Sequence, residues 1–207
     1  MDATSGSPRV TARRAATRET ILAAAWDLAR EDGLTVFTMR DLAARVGMRA
    51  PSLYEYFSGK DAIYDAMFAQ GNGAFLAAVR ALPGPSEIGP RASLIGAART
   101  FLEFATTDPV RFQLLFQRSI AGWEPSPEAY APAIEAYGLL RGHLGAMGVT
   151  DQRSLDLWTA LTSGLAHQQV ANDPGGRRWH DLVDDVVDLF LTHITAGPEG
   201  SPHDGRP

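Results

Sequence analysis

Helical periodicity runs through almost the whole of this 207-residue chain and constrains its fold more than any other feature. Apolar residues recur at spacings of three and four, and the runs are broken at glycine and proline. In the first run Ile21, Ala25 and Leu28 share one face, and Gly33 is placed to end the helix. No segment of the sequence shows the apolar alternation typical of strands. The pattern therefore predicts an all-α fold.

The breaks also predict how the chain is divided. Helices are expected at about residues 14–32, 38–46, 51–57, 58–80, 92–107, 109–121, 128–147, 151–172 and 177–195. Residues 13–60 are predicted to form a three-helix helix-turn-helix domain, and residues 61–196 a larger helical domain. The Ser/Gly/Pro-rich ends, residues 1–12 and 197–207, are predicted to be disordered.

Charge is distributed unevenly along the chain. The net charge is −5, but residues 1–60 carry +2 and residues 61–207 carry −7. Arg9, Arg13, Arg14 and Arg18 cluster near the start of the chain. A basic end on an acidic body indicates that the two parts meet different partners.

The stretch Gly47–Lys60, GMRAPSLYEYFSGK, follows a short helix that Thr38 and Asp41 can cap together. Gly47 suits the positive φ that stops a helix, and Pro51 suits the first turn of the next one. Two short helices joined by a tight turn after a longer helix form a helix-turn-helix. A helix pair of this kind also occurs in proteins that do not bind DNA, so the spacing alone leaves both interpretations open.

Side chains around this pair are suited to DNA. Arg49 can donate a bidentate pair to guanine, and Ala50 and Ser52 are small enough for close approach to a groove. Tyr56 can reach a phosphate or a thymine methyl group. Lys60, the single lysine of the sequence, is placed at a helix start as a phosphate contact. The basic arm adds three candidate phosphate contacts: Arg13, Arg14 and Arg18. A solvated helix face with no partner is the alternative for these three arginines.

The region Thr17–Phe68 resembles the DNA-binding region of tetracycline-repressor (TetR) family regulators, through the FTMRDLAARVGM and LYEYF stretches and Lys60. The resemblance implies a homodimeric transcriptional regulator, usually a repressor, that binds a palindromic operator and is released by a small-molecule effector. It also implies DNA contacts by matching residues: Thr38 and Lys60 on phosphates, and Ala50, Pro51, Ser52, Tyr54 and Tyr56 in the recognition helix. Arg49 departs from the family pattern, where a serine usually caps this helix.

Two C-terminal helices are predicted to form the dimer interface. Small residues on the first would let a partner helix pack closely, and the second has an apolar face. The candidates are Leu157, Gly164, His167, Ala171, Leu182, Val186 and Phe190. Burial within one subunit is an alternative for Phe190.

Aromatic residues of the central helices are candidates for an effector pocket, because such pockets are lined by aromatic side chains with a few polar groups. The set comprises Phe101, Phe104, Phe112, Phe116, Trp123, Tyr137, Trp158 and Thr162, and an apolar or aromatic effector is expected. An aromatic stripe at helical spacing is also typical of plain core, and that alternative stays open for each residue.

Composition and motifs argue against other classes of protein. Without cysteine there is no disulfide or thiolate site, and His143, His167, His180 and His193 lack metal-ligand spacing. No phosphate loop or nucleophile motif is present, so neither an enzyme nor a cofactor is expected. No signal peptide or membrane-length run is found, which predicts a cytoplasmic protein. An all-α small-molecule-binding protein or a protein–protein adaptor is the alternative function.

Overall fold

The computed structural model describes residues 8–196, and every regular element within that range is a helix, which confirms the all-α prediction. None of these helices is long and apolar enough to cross a membrane. The helices are α1 (Pro8–Asp32), α2 (Met39–Arg45), α3 (Ala50–Tyr54), α4 (Lys60–Arg80), α5 (Pro85–Ile88), α6 (Pro90–Thr107), α7 (Pro109–Phe116), α8 (Pro127–Gly145), α9 (Gln152–Asn172) and α10 (Val183–Ala196), with a 3₁₀ turn at His180–Leu182.

Several helix boundaries differ from those predicted. Helix α1 begins at Pro8, so it includes residues 8–12; a proline suits a first turn because its missing N–H would have no helical partner. Helix α7 ends at Phe116 and not near residue 121, and a 3₁₀ turn precedes α10. The rest of the termini predicted to be disordered, residues 1–7 and 197–207, lies outside the described residues.

The chain forms two compact units. The first comprises residues up to Ala74 together with Val110–Ala133, and the second comprises Phe75–Pro109 and the residues from Ile134 onward. The first unit extends beyond the predicted domain 13–60, because buried residues of α4 and α7 belong to its core.

The core of the first unit holds the helix-turn-helix pair against α1 and α4. Ile21 of α1, Leu42 of α2, Leu53 of α3 and Ile63 of α4 are all fully buried. Helix α3 has five residues, too few to be stable alone. Burial of Leu53, worth about 2 kcal/mol, therefore ties α3 to its neighbours.

In the second unit α6 packs against α9 and α10. Trp158 of α9 and Phe190 of α10 are buried, with their ring centroids 5.1 Å apart. At the solvent edge the Arg91 guanidinium donates to Asp188 at 2.7 Å, and Arg99 donates to Asp184 at 2.7 Å. These pairs are about half exposed, so solvent screening leaves each of them a small contribution to stability. Apolar burial therefore provides most of the stability of this unit.

A buried glutamine near the end of α9 forms hydrogen bonds with the loop that follows the helix. Gln169 is fully buried, and its Oε1 accepts hydrogen bonds from the backbone N–H groups of Trp179 at 2.9 Å and His180 at 3.3 Å. Its Nε2 donates to the carbonyl groups of Asp173 and Gly176. One side chain thus satisfies backbone groups of the whole loop between α9 and α10.

Candidate nucleic-acid interface

Helix α2 begins at the predicted capping box, which the structure confirms. Thr38 Oγ1 accepts from the backbone N–H of Asp41 at 3.2 Å, and Asp41 Oδ2 accepts from the N–H of Thr38 at 2.8 Å and from its hydroxyl at 2.7 Å. These hydrogen bonds hold the pKa of Asp41 below its ordinary value. Thr38 is exposed, so its side chain can be reached by a DNA backbone.

The turn between α2 and α3 has the geometry expected at its glycine. Gly47 adopts a φ of +67°, and Met48 donates its N–H to the carbonyl of Ala43 at 2.8 Å. Arg49 then stands at the N-cap of α3, and within the described residues its side chain makes no capping hydrogen bond. Because an arginine has no acceptor, it cannot replace the usual serine here, and its guanidinium extends to the exposed surface.

Helix α3 exposes the residues expected to meet DNA bases. Arg49 and Pro51 are exposed, and Tyr54 is 51% exposed. Ala50 and Ser52 are half-buried, as is Tyr56 at the end of the helix-turn-helix pair. The predicted contacts on α3 therefore share a continuous surface, whereas Leu53 faces the core.

Two arginines of the predicted basic arm bind the end of the recognition helix in this structure. Arg14 donates to the carbonyl of Glu55 at 2.5 Å, and Arg18 donates to the carbonyl of Tyr56. The Arg18 guanidinium also lies 4.0 Å from the ring centroid of Phe57. Cations here satisfy the carbonyl groups that the end of a helix leaves unpaired. This positioning role was not predicted from the sequence. Arg13, by contrast, is exposed.

Lys60 is also held by the protein. Its ammonium donates to the carbonyl of Thr35 at 2.8 Å and lies 4.5 Å from the ring centroid of Phe37. Partial burial lowers the pKa of Lys60, and the charge of Asp41 opposes that shift. An ammonium has three N–H donors, so a phosphate contact can be added to the bond that it already makes.

One residue of this region was not singled out from the sequence. The hydroxyl of Tyr64, one helical turn after Lys60, donates to the carbonyl of Leu34 at 2.6 Å, and its ring centroid is 6.2 Å from that of Phe37. Burial, with a smaller effect of Asp61, raises the pKa of Tyr64 to about 12. Tyr64 therefore links α4 to the turn before α2. Its spacing of one helical turn from Lys60 is the sequence feature that could have pointed to this residue.

The predicted effector residues are divided between the two units. Phe112, Phe116 and Trp123 belong to the first unit, and the other five belong to the second. Phe112 is 1% exposed, Trp158 packs on Phe190, and the Thr162 hydroxyl donates within α9, so all three are buried in the core of their units. The remaining members of the set in the second unit are Phe101, Phe104 and Tyr137, and all three are partly exposed. The rings of Phe101 and Phe104 pack against Phe75, and the Tyr137 hydroxyl accepts a hydrogen bond from Gln152.

Phe116 and Trp123 line a cavity of about 720 Å³ in the first unit. Its wall includes Phe68 of α4 and Tyr130 of α8, whose rings stack with centroids 5.7 Å apart. The segment 117–125 forms another wall. The next residue fixes it to α4, because the N–H of Ser126 donates to Asp65 at 3.2 Å.

The predicted dimer residues are partly exposed. Gly164, His167 and Ala171 lie on the exposed face of α9, Leu182 is 37% exposed, and Leu157 and Val186 are half-buried. Phe190 is fully buried against Trp158, which matches the alternative of burial within one subunit. The periodicity placed it on an apolar face, but that face belongs to the core of its own unit.

Metal-ligating side chains do not cluster near these surfaces. In the range 8–196, no three histidine, aspartate or glutamate side chains are arranged to hold a metal ion.

A comparison with known protein families gives a match over the helix-turn-helix described above. Residues 21–67 match the model of the family described as bacterial regulatory proteins, tetR family. No curated protein is significantly similar to the chain in sequence.

Solved structures share the fold over most of the chain. The TetR-family regulator PfmR from Thermus thermophilus is 22% identical, with a TM-score of 0.61, and the match covers 83% of this chain and 97% of that one. The multidrug binding protein EbrR, complexed with imidazole, is 22% identical, with a TM-score of 0.62 and coverage of 92% and 96%. A variant of TetR from Acinetobacter baumannii AYE in complex with minocycline is 25% identical, with a TM-score of 0.57 and coverage of 86% and 96%. The chain is thus similar to TetR-family regulators in two respects: the match over the helix-turn-helix and the fold that it shares with these solved structures.

Proposed function

We propose that this protein is a homodimeric one-component transcriptional regulator, a repressor that binds a palindromic operator and is released by a small-molecule effector. The observation that carries this proposal is the exposed face of α3, formed by Arg49, Pro51 and Tyr54 on a helix whose other side is anchored by Leu53. A short helix presented in this way can enter a major groove.

Different residues have different tasks in this proposal. Arg49 reads a base edge, since a guanidinium matches guanine bidentately. Thr38, Lys60 and Arg13 contact phosphates and position the domain. Arg14 and Arg18 act on DNA indirectly, because they hold the carbonyl end of the recognition helix.

The homodimer is proposed to form through α9 and α10. Gly164 and Ala171 on α9 are small and exposed, and Leu189 on α10 is 66% exposed. Exposed apolar and small residues on neighbouring helices are suited to a self-complementary interface. A two-fold dimer would present two copies of α3, and this motivates the palindromic operator.

Selection of DNA from a random library tests the proposal directly. A labelled duplex carrying the enriched sequence and a scrambled duplex of the same composition are titrated with the protein between low and physiological salt. We expect the enriched duplex to bind at least roughly 10³-fold more tightly at physiological salt, with a steep decline in affinity as salt rises. Equal affinity for both duplexes at all salt concentrations would contradict sequence-specific regulation.

A further inference from the structure

Two residues that line the cavity of the first unit carry polar atoms that their neighbours leave unsatisfied. Trp123 Nε1 and Ser119 Oγ are buried, and neither has a hydrogen-bond partner within the described range. Both residues line the cavity. Buried polar groups in proteins are nearly always paired, and an unpaired one marks a place where a further group can bind with a net gain.

The chemistry of the wall restricts what can bind. Phe68, Phe116, Trp123 and Tyr130 supply aromatic surface, and the cavity volume of about 720 Å³ lies within the range of small-molecule sites. An indole N–H can only donate, so its partner must be an acceptor. The matching ligand is a compact aromatic molecule that carries an oxygen acceptor, such as a carbonyl or sulfonyl group.

From these observations we infer that the cavity between Phe68, Phe116 and Trp123 binds an aromatic, acceptor-bearing ligand, with Trp123 Nε1 as its principal donor. The inference rests on the proposed function, because this site would be the effector site of the regulator. It places that site in the same unit as the helix-turn-helix. The site uses Phe116 and Trp123 of the set that the sequence suggested, but none of the members of that set on α6 and α9.

Binding of a ligand at this site requires the indole of Trp123 to move. Since Trp123 Nε1 is shielded from solvent, a ligand reaches it only when the indole shifts. The indole packs on Tyr64, with ring centroids 5.6 Å apart, and on Phe68 at 5.8 Å. Tyr64 in turn holds the carbonyl of Leu34 and contacts Phe37. A ligand that draws the indole away therefore changes the packing that supports the start of α2.

Two fluorescent probes test the ligand class on the full-length protein. Anilinonaphthalene sulfonate has an aryl framework with a sulfonate acceptor, and N-phenylnaphthylamine has the same framework without it. We expect Trp123→Phe to weaken binding of the sulfonate probe by roughly tenfold, because the donor is lost while the ring is kept, and to change binding of the amine by less than about twofold.

A matched control is provided by a second indole. Trp179 Nε1 is also buried without a partner in the described part of the chain, but Trp179 does not line this cavity. Trp179→Phe should therefore leave the affinity for both probes unchanged. Ser119→Ala is the second cavity variant, with an expected weakening of the sulfonate probe of roughly threefold, and circular dichroism confirms that each variant is folded.

The outcomes separate this inference from the proposed function. If the sulfonate probe binds the Trp123→Phe and Ser119→Ala variants as tightly as the original protein, the cavity is not the site, whatever the DNA measurements show. If the original protein binds no DNA selectively, the regulator proposal fails, and the probe measurements still decide the chemistry of the cavity. Loss of affinity for the sulfonate probe in Trp123→Phe, with Trp179→Phe unchanged, supports the inference.

Discussion

The guanidinium of Arg18 donates to the backbone carbonyl of Tyr56, thirty-eight residues further along the chain. Arg14, one helical turn before Arg18, makes the equivalent bond to the carbonyl of Glu55. Helix α1 thus holds the end of the recognition helix, α3, through two hydrogen bonds from arginine side chains to backbone carbonyl groups. The orientation of α3 depends on this contact as much as on the burial of Leu53.

Arg18→Ala tests that positioning role. We expect a loss of about 1–2 kcal/mol in the free energy of unfolding, because a charge-assisted hydrogen bond and the contact with Phe57 are removed from a half-buried site. Affinity for the selected duplex should fall with it. Arg13→Ala is the matched control: its side chain is exposed, so stability should change by less than about 0.5 kcal/mol and the salt dependence should weaken. Urea denaturation and DNA titration measure both. Equal stability of the two variants would argue against the positioning role.

Arg49→Ala and Lys60→Ala should weaken DNA binding in different ways. Loss of Arg49 should reduce discrimination at one base pair by about 1–3 kcal/mol. Loss of Lys60 should weaken all sequences about equally and reduce the salt slope by about one. A panel of single-base variants of the selected duplex, measured at several salt concentrations, distinguishes these effects. The opposite assignment of the two effects would show that the roles are exchanged.

Tyr64→Phe should destabilise the first unit by about 1–3 kcal/mol, because the buried carbonyl of Leu34 loses its donor. Urea denaturation measures this loss. Tyr54→Phe is the control, since the exposed Tyr54 hydroxyl can be solvated and its loss should be neutral.

The same tyrosine gives the fold a dependence on alkaline pH. Its pKa is raised from an ordinary value of 10.0 to about 12, so the folded state favours the neutral phenol. The resulting stabilisation is fully present below pH 10 and is lost as the pH rises through about 12. Ultraviolet titration of phenolate absorbance should show one late-ionising tyrosine that is missing in Tyr64→Phe. If no tyrosine titrates late, the burial of this hydroxyl is contradicted.

Gln169→Leu should cost about 2–4 kcal/mol, because the N–H groups of Trp179 and His180 lose their acceptor inside the second unit. Gln168→Leu, one residue earlier and exposed, should be close to neutral. Chemical denaturation compares the pair. A Gln169→Leu variant as stable as the control would mean that the loop finds other partners for these groups.

Leu189→Lys should weaken the proposed dimer by at least roughly tenfold, since it buries a charge in an apolar interface. Ile134→Lys on α8 is the control, because Ile134 is similarly exposed at 61% but lies outside the proposed interface. Light scattering across a concentration series gives the dissociation constants. Dimers that resist Leu189→Lys but not Ile134→Lys would place the interface on another helix.

Local signals account for what the sequence predicted well. The capping box at Thr38, the positive φ at Gly47 and the break before Pro51 each depend on residues within a few positions, and the structure has all three. Short-range signals of this kind determine where helices begin and end.

Contacts between residues far apart in the chain could not be predicted in this way. Periodicity places Phe190 on an apolar face but does not say whether that face meets its own unit or a partner, and here it meets Trp158. In the same way, a basic arm predicts an affinity for anions, but the groups that Arg14 and Arg18 bind here are backbone carbonyls. The pairing of Trp123 with Tyr64 depends on the packing of elements that are distant in sequence.

The ring contact between Tyr64 and Trp123 has an evolutionary consequence. The aromatic packing that keeps this unit folded is the same packing that a ligand would have to loosen. Substitutions that improve this packing would raise the melting temperature and weaken the response to ligand. Substitutions that loosen it would strengthen the response to ligand, but the less stable protein would be degraded faster in the cell. Heat tolerance and responsiveness are therefore expected to evolve against each other at these two positions.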